Sequence, residues 1–416
     1  MLKTRLYRYN NNTIADGVRR KTIYMKIELS EKLKSFKPFL FEELYRKERA
    51  EKAKGKDIIS LAVGDPDIPT ARGIVNCAVS EVRKSLNHRY PNTKGNENLR
   101  KEISAWHKRR HGLTFHHSDE VSILIGSKEG IAHLPFVVMN PGDYCLIPDP
   151  TYPTYRTGVV LSGGRMYDVP MEEKNAFLPD LGKIPRKIVD KTKLFFLNYP
   201  NNPTGAVADI HFYKDLVKWA RKNSVIIAQD AAYCDIYFGK PGPSILEVPG
   251  ARDIAVEFYS ASKTYCMAGW RIGWVVGNSK LVCALNQLKE NIDSGPFNAM
   301  QNAVAYALKN HETIVPPIRE IFRKRADDYC KGLAEAGWKF SRPGGGCFIW
   351  ARPPVKCASL DAVYFMLEKA SVLTAPGSGF GKFGEGYIRF SLTEPDAKLK
   401  ETLRRIKTLD WGKLGK

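Results

Sequence analysis

The chain has 416 residues, 43% of them hydrophobic, with 65 Lys and Arg against 44 Asp and Glu, for a formal net charge of +21. That length can bury one large core and a smaller domain, and no apolar run reaches the roughly 18 residues that would cross a bilayer. Eight cysteines without a CxxC pair point away from a zinc site or disulfide framework and toward reduced thiols in a cytoplasmic protein.

The first 24 residues are polar, aperiodic and basic. They read as a disordered tail or an extension from an upstream start site, and Met25 opens a cleaner beginning. Beyond them the positive excess is interleaved with acids, as in Glu42-Glu43-Leu44-Tyr45-Arg46-Lys47-Glu48-Arg49. Dispersed charge suits solubility and anionic ligands, whereas nucleic acid would need one clustered stripe. The periodicity predicts a helix over 42–54 and a strand over 57–63, closed by Gly64-Asp65-Pro66-Asp67. His111, His116 and His117 fall in a polar loop and read as a solvated turn, with no metal expected.

From Val121 onward, short apolar runs alternate with helical stretches, the pattern of parallel strands joined by crossover helices. Strands are predicted over 121–125, 144–147, 194–198, 225–229 and 255–259. In an open α/β sheet, ligands sit beyond the carboxyl ends of the strands, and all five runs end in residues with useful chemistry.

The first is followed by Gly126-Ser127-Lys128-Glu129-Gly130 and a helix over 131–138, so hydroxyl and backbone N–H groups could hold an anion, or Ser127 could be an ordinary N-cap. The second is followed by Asp149-Pro150-Thr151-Tyr152-Pro153, where Tyr152 could stack on a flat ring or sit on a rim. After the third, Asn198-Tyr199-Pro200-Asn201-Asn202-Pro203-Thr204-Gly205 is a constrained turn able to hold the Asn202 amide at a set point. The fourth ends at Asp230, with Tyr233 three residues on. A buried carboxylate needs a partner, such as a protonated ring nitrogen, although a helix N-cap is the plainer reading.

The fifth run leads into Ser260-Ala261-Ser262-Lys263 and then Gly269-Trp270-Arg271. A lysine beside cationic groups is suited to imine chemistry, and Arg271 with the two serines is suited to a phosphate. Past about residue 314 the texture becomes a second, smaller α+β region. It has helices over 319–333 and 360–368, Gly-rich turns, and a strand over 387–392 carrying Arg389.

In this order and spacing, Asn202-Pro203-Thr204-Gly205, Asp230 with Tyr233, Ser260-x-x-Lys263 and Arg271 resemble the class I/II, fold-type I, pyridoxal 5′-phosphate (PLP)-dependent aminotransferases over roughly residues 30–410. The resemblance implies an α/β fold, with a large domain built on a mostly parallel sheet covered by helices on both faces and a smaller α+β domain. The implied partition is an N-terminal arm and part of the small domain over 25–75, a large PLP-binding domain over 76–312, and the rest of the small domain over 313–416.

It also implies roles. Lys263 binds the cofactor aldehyde and then moves the proton between substrate and cofactor. Asp230 keeps the ring nitrogen protonated, Asn202 and Tyr233 bind the ring oxygen, and Tyr152 stacks on the ring. Ser127, Lys128 (through its backbone), Ser260, Ser262 and Arg271 hold the phosphate. Arg389, helped by backbone at Gly64, pairs with the substrate α-carboxylate. Tyr90, in Tyr90-Pro91-Asn92-Thr93-Lys94-Gly95, reaches the phosphate of the other subunit, which implies a homodimer.

Residues 126–134, 198–207 and Asn291-Ile292-Asp293-Ser294-Gly295 are most similar to the LL-diaminopimelate aminotransferase group of lysine biosynthesis. One position departs: Phe39-Leu40-Phe41 stands where better-known members have a tyrosine before Leu-Phe, removing a hydroxyl from the distal end of the substrate. Aspartate, alanine or aromatic amino acids are the alternative donors, and a β-lyase of the same fold is the alternative reaction. A PLP-sensing DNA-binding regulator would need a helix-turn-helix domain of about 60 residues ahead of this region, and only the first 24 residues precede Met25.

Overall fold

The computed structural model describes residues 27–34, 36 and 40–414. The basic segment 1–24 and the side chains of Phe39-Leu40-Phe41 lie outside the described residues. The chain divides into two units, Met1–Lys37 and Pro38–Lys416. Within the first, Glu31–Lys34 forms one exposed helical turn. Everything that follows concerns the second.

A seven-stranded sheet runs in the order Val121–Leu124, Gly273–Gly277, Ala255–Ser260, Ile226–Asp230, Thr192–Asn198, Tyr144–Asp149, Arg165–Pro170. All pairings are parallel except those made by Gly273–Gly277, which runs against both neighbours. The central strands are buried on both faces because helices cover both, which is why they read as unbroken apolar runs. One core cluster lies on one face, around Trp106, Phe195, Leu197, Tyr213 and Trp274. Another, around Leu134, Ile147, Tyr155, Phe196 and Phe258, lies on the other.

All five predicted strands form, within two residues at their ends. Two strands of this sheet were not foreseen, Arg165–Pro170 at one edge and Gly273–Gly277 inside it. The second corrects the expected run of parallel neighbours, because Val121–Leu124 pairs only with this reversed strand.

A third core cluster holds Phe322, Tyr329, Phe348, Trp350, Leu373 and Phe390. It lies beside a four-stranded antiparallel sheet whose central strands are Phe348–Arg352 and Ile388–Ser391, with Trp350 opposite Arg389. Ile59–Ser60 pairs in parallel with Val372–Leu373, so the early predicted strand belongs with the late part of the chain. The helix predicted over 319–333 is longer, His311–Glu335. His111 is not in a loop: it closes the helix Glu97–His111, and its ring nitrogen bonds Glu247 at 2.7 Å.

Candidate active site

The carboxyl ends of the large-sheet strands and the two central strands of the antiparallel sheet meet over a cleft of about 300 Å³, within the size range of small-molecule sites. Among the predicted residues, Gly64, Ser127, Lys128, Tyr152, Asn202, Asp230, Tyr233, Ser260, Ser262, Lys263, Arg271 and Arg389 all line it. Tyr90 does not. It is 91% exposed on the surface of its own chain.

At the anion end, Gly126 occupies the N-cap of the helix Ser127–Val138 and offers no side-chain cap, so Ser127 is the first helical residue rather than the cap. The first-turn N–H groups are therefore not capped by a side chain. Gly126 has φ +74°, and a Cβ there would stand 2.4 Å from Nη2 of Arg271, so only glycine lets the guanidinium lie against the helix start. Arg271 Nη1 donates to the Ala268 carbonyl at 2.7 Å, which holds the head group in place. Ser260 caps the short helix Ala261–Thr264, its hydroxyl accepting from the Ser262 N–H at 3.2 Å. A cation, three hydroxyls and helix-start N–H groups thus converge, as a phosphate dianion requires.

Deeper in the cleft, Asp230 ends its strand in full burial. No helix follows it. Its Oδ1 accepts from the Ala232 N–H at 3.1 Å and its Oδ2 from the Tyr155 hydroxyl at 2.8 Å. Burial outweighs both hydrogen bonds and raises its pKa to about 6. A buried carboxylate held with neutral donors at this depth fits a cationic ring nitrogen. Tyr155 stacks on Phe196, with centroids 4.9 Å apart and planes 9° from parallel.

The turn beside Asp230 satisfies itself. Asn198 Nδ2 donates to the Asp230 carbonyl at 2.8 Å, while its Oδ1 accepts from the Asn202 N–H at 2.7 Å. Asn201 Oδ1 accepts from both the Thr204 N–H and its hydroxyl. The Gly-rich turn after Arg342 docks here, with the Gly344 N–H on the Gly205 carbonyl at 2.8 Å. Buried polar groups so fully paired make a rigid support for the Asn202 amide.

Lys263 donates from Nζ to the Gly64 carbonyl. Burial lowers its pKa from the ordinary lysine value, the direction that favours a free amine. Arg389 is 4% exposed. Nη1 donates to Asn202 Oδ1 at 2.8 Å, Nη2 donates to the Ala62 carbonyl, and the guanidinium lies 4.1 Å from the Phe348 ring and 4.6 Å from the Phe380 ring. Burial brings its pKa down to about 10, so it remains a cation at neutral pH.

Sequence reasoning missed Tyr45, Tyr155, Asn198, Phe348 and Phe380. It also missed Asp149, a latch behind the site. Asp149 is fully buried. Its Oδ2 accepts from the Lys382 N–H at 2.9 Å and from Arg156 at 3.2 Å, and its Oδ1 accepts from the Phe383 N–H at 2.9 Å. Thr151 N–H bonds the Phe380 carbonyl at 2.9 Å. The strand end leading to Tyr152 is thereby tied to the loop that places Phe380 over Arg389.

The family description "Aminotransferase class I and II" matches residues 56–406. The chain belongs to this family. The aminotransferase is 47% identical to an LL-diaminopimelate aminotransferase from Aquifex aeolicus, over 92% of this chain and 99% of that one. It superposes on substrate-bound BacF from Bacillus subtilis with a TM-score of 0.89 and 34% identity, covering 93% and 98% of the two chains. An aspartate aminotransferase mutant from Thermus thermophilus gives 0.87 and 26%, covering 92% and 99%. The enzyme is accordingly a PLP-dependent transaminase of fold type I. No described helix is long and apolar enough to cross a membrane.

Proposed function

We propose that this aminotransferase acts on LL-diaminopimelate, exchanging its amino group with a 2-oxo acid in a ping-pong reaction, as a cytoplasmic homodimer. The observation that carries the reading is the convergence of the Lys263 amine, the Asp230 carboxyl and the Arg389 guanidinium on one cleft with a phosphate cradle at its end. The Aquifex aeolicus relative supports the substrate, and eight free thiols suit a reducing compartment.

Bound in this cleft, PLP supplies an electron sink that acidifies the donor Cα–H and a carrier for the amino group. Arg271, the hydroxyls of Ser127, Ser260 and Ser262, and the backbone at Lys128 would hold its phosphate. Asp230, its orientation fixed by Tyr155, would stay ionised against a protonated ring nitrogen. Asn202 spends its amide oxygen on Arg389, which leaves its NH₂ group to meet the ring oxygen together with Tyr233. Tyr152, which lines the cleft, would cover one ring face.

Arg389 meets the α-carboxylate through a planar fork already aligned by Asn202, Ala62 and two aromatic rings, with Gly64 backbone alongside. Lys263, its amine favoured by burial, would take the α-proton from the donor and hand it on toward the cofactor. The second half-reaction runs the same residues in reverse.

The homodimer reading rests on an exposed apolar face. Val75, Val79 and Val82 stand on one side of the helix Arg72–Val82, followed by Leu86 and Tyr90, all exposed. Phe297 adjoins them through the His88 ring, 5.7 Å away. A second copy would cover this face and bring Tyr90 to the neighbouring phosphate cradle. Residues 76–312 would form the large domain, since the seven-stranded sheet lies within them. The pairing of Ile59–Ser60 with Val372–Leu373 supports grouping the part of 25–75 that follows Lys37 with 313–416.

An absorbance spectrum and a donor screen test this. Wild type should show a visible cofactor band, absent in Lys263→Ala, and LL-diaminopimelate should convert the cofactor to its amine form faster than aspartate, alanine or aromatic amino acids. Conversion by aspartate alone would refute the substrate assignment. Release of pyruvate or ammonia would indicate a β-lyase.

A further inference from the structure

The stretch Asn291-Ile292-Asp293-Ser294-Gly295 takes no part in lining the cleft. It follows the helix Ser279–Glu290, whose Lys289 is fully buried. Lys289 Nζ donates to Glu129 Oε2 at 2.8 Å and to the two Asp293 oxygens at 3.0 and 3.2 Å. His133 Nδ1 lies 3.0 Å from the other Glu129 oxygen. Glu129, His133 and Asp293 are close enough together to surround a metal ion, but the ammonium of Lys289 already supplies the positive charge there.

Each arm of this cluster leads somewhere useful. Glu129 Oε2 also accepts the N–H of Ile125 at 2.9 Å. Ile125 precedes Gly126, the residue against which Arg271 rests. On the other side, Asp293 Oδ1 accepts the Gly295 N–H at 3.0 Å. Gly295 packs on the loop after Tyr90: a Cβ there would lie 3.5 Å from the Asn92 carbonyl oxygen and 3.9 Å from Pro91 Cγ. Gln301 adds a second tie, accepting the Asn96 N–H at 2.7 Å and donating to the Pro296 carbonyl at 2.7 Å. The loop that carries Tyr90 is therefore fastened to the segment that Lys289 anchors.

We propose that Lys289 is a positioning residue that holds the phosphate cradle and the Tyr90 loop in one relation, so that cofactor retention and the seating of that loop on a second copy depend on the same buried ammonium. The proposal rests on the homodimer reading. Burial works against the charge of Glu129, yet His133 and Lys289 together keep it below the ordinary carboxylate value. Removing the ammonium leaves two half-buried carboxylates facing each other without their shared cation, and both arms must move to relieve the repulsion.

The test compares wild-type holoenzyme with Lys289→Met, Glu129→Gln and Asp293→Ala. Two dissociation constants are read for each, that of PLP by dialysis and that of the dimer by sedimentation. Lys289→Met should weaken both by about tenfold or more. Glu129→Gln should act mainly on PLP and Asp293→Ala mainly on the dimer. If Lys289→Met fails to fold, the two single-arm variants decide: opposite preferences support the coupling, and equal effects in proportion to lost thermal stability overturn it. A dimeric wild type whose Lys289→Met variant keeps both constants within about twofold also overturns it, with the homodimer reading intact. A monomeric wild type removes the homodimer reading and the second half of the proposal with it.

Discussion

Arg389 donates from Nη1 to Oδ1 of Asn202 at 2.8 Å, joining a strand of the antiparallel sheet to the turn that closes a strand of the large sheet. The group read as the carboxylate clamp and the group read as the ring-oxygen ligand are therefore one hydrogen-bonded unit. Disturbing either should disturb both functions. Arg389→Lys keeps the charge but loses the planar fork, and kcat/KM for every α-amino donor should fall by about 10–100-fold. Asn202→Ala should raise the donor KM as well as weaken cofactor binding. Steady-state kinetics over a donor series checks both, and an unchanged KM in Arg389→Lys would remove the carboxylate role.

Asp230 makes a prediction about stability and pH. Its folded pKa of about 6 lies above the ordinary value of 3.8. Between those values the native state binds more protons than the unfolded state, so this group makes cofactor-free protein less stable as pH rises through the window. The loss levels off above about pH 6, at about 3 kcal/mol. Asp230→Asn should therefore be the more stable apoprotein at pH 7 but not at pH 4, while losing nearly all transaminase activity. Urea denaturation at the two pH values tests the sign, and a wild-type apoprotein that gains stability over this window relative to Asp230→Asn would contradict it.

Gly126 is predicted to be irreplaceable for a local reason. Gly126→Ala strains a backbone at φ +74° and pushes on the Arg271 head group. The cost should be about 1–2 kcal/mol of stability, and cofactor affinity should fall by about tenfold. Titrating apoprotein with PLP measures the second effect, which separates damage to the cradle from general destabilisation.

Gly381 faces the Asp149 latch, where a Cβ would come within 2.1 Å of Oδ1 at φ +139°. Gly381→Ala should break the latch, lower stability by about 2–4 kcal/mol and shift Phe380 away from Arg389. The expected kinetic result is a raised donor KM with cofactor affinity nearly unchanged. Equal damage to both would mean that the latch does not act through Arg389.

The strand-end residues that meet in the cleft were legible because each short apolar run stops at a polar group, whereas Arg389, inside a strand, was marked only by the family resemblance. Arg165–Pro170 escaped notice because it is a half-exposed edge strand with no apolar run to mark it. Gly273–Gly277 was overlooked because it follows the Gly269-Trp270-Arg271 motif after a single residue. Tyr155 looks no different from Tyr152 in sequence, and only the fold stacks it on Phe196 and aims its hydroxyl at Asp230. Phe348 and Phe380 sit beside Gly-rich stretches that read as punctuation. Asp149 was seen as the start of a turn, since its Lys382 and Phe383 partners lie more than two hundred residues later. Sequence patterns expose strand ends well and long-range buried polar pairings poorly.

The reversed strand Gly273–Gly277 has a mechanical consequence. A parallel sheet would send the chain away from the site after Lys263, through a crossover, before returning. Here the chain turns back at once, so Lys263 and Arg271 share the single segment 261–272, bracketed by strands that are hydrogen-bonded to each other. Covalent anchor and phosphate cation are thus mounted on one bracket. A slip or tilt of that hairpin would carry both together, keeping their separation while altering their distance from every other group in the cleft.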